Sequence, residues 1–141
     1  MVPSLSAHQP TLKVSKRYEA IFSEGRAEFR RRDEDFDTQT EIAVSPEDDI
    51  ELRRVTITNQ SKTRRTIDVT SYAEIVLAAP AADALHPAFS NLFVQTEIIR
   101  HQGAIMATRR PRSAQEQPPW MFHAMSVHGG GGVRSLMFMV K

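Results

Sequence analysis

The chain has 141 residues, Lys+Arg 18 against Asp+Glu 17, a formal net charge of +1 and 40% hydrophobic residues. That length builds one domain with a real core, and the charge balance leaves no global field to attract nucleic acid or an anionic membrane. No apolar run approaches the roughly 20 residues that span a bilayer, no signal-peptide pattern opens the chain, and zero Cys excludes thiolate chemistry, Cys-based zinc sites and disulfides.

The expected location is therefore the cytoplasm, or the soluble part of something larger. Residues 1–16 carry two prolines and no periodicity, and are expected to form an N-terminal arm. Alternation begins at Arg17. Tyr18, Ala20 and Phe22 share one strand face, Glu24-Gly25 turns, and Ala27 and Phe29 alternate on the return. The run Arg30-Arg31-Arg32-Asp33-Glu34-Asp35 can be read as a phosphate or nucleic-acid patch, or as a solvated turn. Its acidic half cancels the field and favours the turn. Thr38, Thr40, Ile42 and Val44 predict a third strand, closed by Ser45-Pro46-Glu47-Asp48-Asp49. That acidic turn lacks the ligand spacing of an EF-hand.

The stretch DDIELRRVTITNQSKTRRTIDVTSYAEIVL, residues 48–77, predicts a long hairpin around which the rest is organised. Ile67, Val69, Ser71, Ala73, Ile75 and Leu77 share one face of its second strand, with Asp68, Thr70, Tyr72 and Glu74 on the other. In the first strand the parity switches between Leu52 and Val55, which predicts a β-bulge at Arg53-Arg54. Residues 78–89 are Ala-rich and interrupted by prolines, so a long connection with one helical turn is expected. Phe93 to Ile99 and Ala104 to Thr108 form a strand pair around His101-Gln102-Gly103. Residues 109–119 are a polar loop, and Trp120 to Val127 a last apolar strand. Gly129 to Gly132 are expected to be a flexible turn or linker. The tail VRSLMFMVK is a final edge strand or an unpaired end. Short strands with turn signals between them indicate an all-β antiparallel sandwich or barrel over residues 17–128, with 129–141 a Gly-rich linker and tail.

Little in this pattern carries chemistry. Glycosidases need two carboxylates about 5–10 Å apart with contrasting pKa values, and nothing singles out a pair here. His8, His86, His101, His123 and His128 show no pair at metal-ligand spacing, and no phosphate loop surrounds the glycines. No metal site or cofactor is implied. Two carbohydrate-binding candidates stand out. Trp120, the only tryptophan, offers an aromatic platform for a sugar ring, or else anchors a core or interface. Arg109, Arg110 and Arg112 cluster in a loop, to bond sugar hydroxyls or a partner carboxylate, or simply to be solvated.

The blocks YEAIFSEGRAEFRRRD, TEIAVSPEDDIELRRVTITNQS, TIDVTSYAEIVLAAPAADALHPAFSNLFVQTE and ATRRPRS closely resemble the β-sandwich region of cyclic β-1,2-glucan synthases. These group with cellobiose and chitobiose phosphorylases, formerly glycosyltransferase family 36. The resemblance covers residues 6–127 and fades after His128. It implies a galactose-mutarotase-like supersandwich, partial here, which in the family precedes a helical linker and an (α/α)6 barrel carrying the catalytic acid. The chain is accordingly expected to be a non-catalytic fragment, from a split or frameshifted gene, structural with glucan contact and inactive alone. Its alternatives are a free-standing carbohydrate-binding module and an interaction domain completing a split enzyme. The implied partners are β-glucan, the barrel region of the membrane-associated parent or a second chain, and a further copy of itself, with no nucleic acid and no membrane contact by this segment.

Overall fold

The structure, a computed structural model, describes residues 14–111, 113–129 and 133–140. Its strands are β1 (Arg17–Ser23), β2 (Arg26–Asp33), β3 (Phe36–Val44), β4 (Glu51–Asn59), β5 (Val94–Ile99), β6 (Ala104–Arg109), β7 (Trp120–His128) and β8 (Val133–Val140). Two short helices, α1 (Pro80–Leu85) and α2 (Pro87–Asn91), lie in the connection after β4. The fold is all-β, and every pair with a resolved register is antiparallel. No helix among the described residues is long and apolar enough to cross a membrane. The chain divides into two units, residues 1–69 with 126–139, and residues 70–125 with 140–141.

The first unit is built on the β1–β2–β3–β4 meander, whose register sorts residues by face. Cross-strand rows Tyr18–Arg31–Thr38–Ile57, Ala20–Phe29–Thr40–Val55 and Phe22–Ala27–Ile42–Arg53 share one side. Rows Arg17–Arg32–Asp37–Thr58, Glu19–Arg30–Gln39–Thr56 and Ile21–Glu28–Glu41–Arg54 share the other. The first side is largely apolar, and Val55 is its most buried hydrophobe, packed against Ile57 and Val69. Burial of a side chain that size stabilises by about 2 kcal/mol. The second side is a mesh of ions. Glu28 lies under Arg30 (Nε to Oε1, 2.6 Å) and accepts from Gln39 (2.9 Å), while Glu41 bridges Arg26 (3.2 Å) and Arg54 (2.6 Å). The bond to Glu28 holds the Arg30 guanidinium above its usual range. Because the arginines are about half exposed, water screens these pairs and each adds little to stability. The larger effect is on register: a one-residue slip would turn the arginines onto the apolar side and the aromatics into the ions.

Tight turns join these strands. Glu24-Gly25 links β1 to β2 with Gly25 at φ +70°, a region glycine enters without steric cost. Ser45 accepts at Oγ from the amides of Glu47 (3.3 Å) and Asp48 (3.1 Å), which fixes the β3–β4 connection.

The structure corrects several expectations. Arg30 to Asp33 are the end of β2, not a solvated turn, and only Glu34-Asp35 turn. Arg31 is buried on the apolar side, where Asp33, two residues on, holds it at 2.6 and 3.4 Å. No bulge interrupts β4: Ile42 pairs with Arg53 and Glu41 with Arg54 in unbroken register. Leu52 therefore faces the ion side and is 39% exposed. Residues 67–77 form no strand. The place beside β4 is taken by β8, so the predicted tail is a paired strand. Of the expected inward set Val69 does reach Val55, whereas Ile67 is exposed. Residues 1–13, Arg112, Gly130 to Gly132 and Lys141 lie outside the described residues, and with them most of the predicted arm and glycine linker.

The two readings of β4 differ in what truncation does. Val55→Ala is expected to lower the unfolding free energy by about 2 kcal/mol, and Leu52→Ala by less than ~0.5 kcal/mol. Urea denaturation ranks the pair, and the reverse order would reinstate the bulge.

Candidate functional site

The second unit holds the residues singled out for carbohydrate. Its sheet order is β7–β6–β5, with Gly103 (φ +59°) turning the chain from a short 3-10 segment (Arg100–Gln102) into β6. A Cβ at Gly103 would lie 3.3 Å from the Met125 carbonyl oxygen, so the approach of β7 also favours glycine there. Register places Gln95, Thr108 and Trp120 on one face, and Val94 with Arg109 on the other.

Trp120 and Arg109 therefore do not converge. Trp120 is 61% exposed at the start of β7, and the Thr108 hydroxyl beside it donates to the Pro119 carbonyl at 3.1 Å. Arg109 is 8% exposed. Its Nη1 donates to the Val76 carbonyl at 2.9 Å, and its Cζ lies 5.8 Å from the centroid of the Phe93 ring. A buried guanidinium needs such partners to offset desolvation. Here they tie the segment before α1 to β6. A second tie is His123 Nε2 to the Ser71 hydroxyl, 2.8 Å. Residues 71–76 are thus held through side chains and a carbonyl rather than through a strand ladder. Arg110 is exposed, its backbone amide bonded to the Phe93 carbonyl at 2.8 Å. Arg112 lies outside the described residues.

Arg109 also lines a cavity of about 450 Å³ with Leu77, Ala78, Ala79, Ala82, Glu116, Pro118 and Pro119. Ligand pockets begin at roughly 300 Å³ and pair apolar walls with a few polar groups. This one has one guanidinium and one carboxylate in an Ala- and Pro-rich wall. Leu77 adopts φ +47° there, a strained conformation for a branched side chain. Sequence reading missed Leu77 and Glu116. The available signal was Pro118-Pro119 just before the exposed tryptophan. Among the described lining residues Glu116 is the one carboxylate, so ligand hydroxyls could bond to it and to Arg109. Among the described residues no group of three or more His, Asp or Glu is placed to hold a metal.

Arg109 and Arg110 differ only in burial and partners, so replacing each with Met separates their roles. Arg109→Met leaves the Val76 carbonyl without this donor and is expected to cost about 2 kcal/mol. Arg110→Met is expected to change stability by less than ~0.5 kcal/mol. Thermal melts of the two variants measure this.

Comparison with known proteins locates the domain. The family model for the glycosyl hydrolase 94 supersandwich domain matches residues 4–136, so the likeness continues past His128 and into β8. A cyclic beta-(1,2)-glucan synthase, NdvB, of Rhizobium meliloti (strain 1021) is 39% identical over 109 residues. That alignment takes in 77% of this chain and 4% of the relative, so the chain corresponds to a small part of that protein's length. With the family model matching residues 4–136 and every strand pair of described register antiparallel, the chain belongs to the glycosyl hydrolase 94 supersandwich domain family.

Proposed function

We propose that this chain is a non-catalytic supersandwich domain of an enzyme that makes or processes β-1,2-glucan, with a structural role and a glucan contact around Trp120 and the adjoining cavity. The family match over residues 4–136 carries the reading, and the glucan synthase relative supplies the substrate class. The contact half draws on Trp120, an exposed indole next to Pro119 in the cavity wall. An aromatic face packs against the C–H surface of a pyranose, while Thr108 and Arg110 supply hydrogen bonds nearby. In the parent enzyme the domain would stand beside a phosphorylase-like (α/α)6 barrel that does the chemistry, on the cytoplasmic side.

Trp120 is the sole tryptophan, so intrinsic fluorescence reports on this position alone. Titration with a linear β-1,2-gluco-oligosaccharide is expected to shift or quench the emission. The same mixtures, with phosphate added, should yield no sugar phosphate and no altered oligosaccharide. An emission indifferent to glucan would remove the contact, and turnover above a buffer blank would remove the non-catalytic assignment.

A further inference from the structure

Among the described residues of the first unit β1 ends the strand order, with β2 as its neighbour. It has the makings of an adhesive edge: seven residues, no proline, and two large exposed side chains, Tyr18 at 42% and Phe22 at 75%. Native edges are usually blunted by proline, bulges or inward charges. The register with β2 runs without interruption from Arg17 to Ser23, so no bulge twists this edge away. Phe22 is only partly satisfied by its own sheet, through an edge-to-face contact with Phe29 at 6.0 Å between centroids.

The sequence of β1, RYEAIFS, is complementary to itself when reversed about Ala20. An antiparallel pair centred there sets Tyr18 of each copy opposite Phe22 of the other, twice, on the apolar side, with Ala20 against Ala20 on the axis. Cross-strand aromatic pairs of this kind are favourable beyond the area they bury. On the ion side the same register puts Glu19 opposite Ile21 and Arg17 opposite Ser23, so no like charges face each other directly. Each Glu19 is already held by Arg17 (3.5 Å) and Arg30 (3.8 Å) of its own chain. Neighbouring registers are poorer. Centring on Glu19 opposes two carboxylates, and centring on Ile21 sets Tyr18 against the Glu24 turn.

We infer that β1 is a homodimerisation edge, taking the β1 strand of a second copy in antiparallel register about Ala20. The pairing joins two β1–β4 sheets into one and makes their apolar sides continuous. An interface of one strand pair is at the small end, below about 1,200 Å², so the dimer forms and dissociates with concentration.

A chain without cysteine makes the register directly testable. At the axis the two Ala20 Cβ atoms would lie about 5 Å apart, within reach of a disulfide after small adjustment. Two copies of residue 18, or of residue 22, would be offset by four residues, roughly 13 Å along the strands. Single variants Ala20→Cys, Tyr18→Cys and Phe22→Cys, all at exposed positions, are oxidised under the same mild conditions, with the parent chain run in sedimentation velocity across a concentration series. The expected result is a monomer–dimer transition in the parent and disulfide dimer formed at least tenfold faster at position 20 than at 18 or 22. Equal rates at the three positions, a faster rate at 18 or 22, or a parent chain monomeric at millimolar concentration overturns the proposal.

Discussion

The separation of side chains by face across the β1–β4 meander is the constraint on which the rest of the first unit depends. A single pairing register puts Ala20, Phe29, Thr40 and Val55 in one row and Glu19, Arg30, Gln39 and Thr56 in the next. Because strand side chains alternate with period two, these rows cannot be adjusted one at a time. Val55, with the partly buried Ile57 and Val69 against it, packs the apolar side, while the arginine–glutamate mesh discriminates among registers. Two polar side chains are nonetheless buried on the apolar side: Arg31, which Asp33 holds, and Thr40, whose hydroxyl has no hydrogen-bond partner among the described residues.

The second unit is organised by Arg109. Its guanidinium draws in the backbone at Val76 and lies over Phe93, and the cavity forms where that tie meets the start of α1 and the two prolines before β7. The residue that fixes the cavity's wall is therefore also one of its two charged groups. A ligand's hydroxyls would meet a guanidinium already held in one orientation, which lowers the entropy cost of binding. Trp120 belongs to the opposite face of the same strands and would contribute from the rim at Pro119.

Much of this was readable in the amino-acid order. Alternation between Tyr18 and Phe29, and again from Thr38 to Val44, located β1 to β3, and turn residues located their connections. Two errors share one cause. The parity change between Leu52 and Val55 and the alternation of residues 67–77 both look like strand signals from local pattern. The first is an unbulged strand with Leu52 facing the ions, and the second never joins the ladder. The register of β4 with β3 decides the first and the place of β8 beside β4 the second, and both are long-range. Arg109 was placed in the wrong environment: loop composition suggested solvent, whereas its strand register turns it inward. Glu116 and Leu77 were not read as cavity residues, since the cavity arises only where distant segments meet.

The most direct test of the central claim, a non-catalytic domain that touches glucan on its second unit, is chemical-shift mapping of the isotope-labelled chain with a β-1,2-gluco-oligosaccharide. The account predicts shifts confined to the amides around Leu77 to Ala82, Arg109 to Arg110 and Glu116 to Trp120, with β1 to β4 unmoved. Shifts centred on the arginine–glutamate face of β1 to β4, or none at saturating sugar, would contradict it.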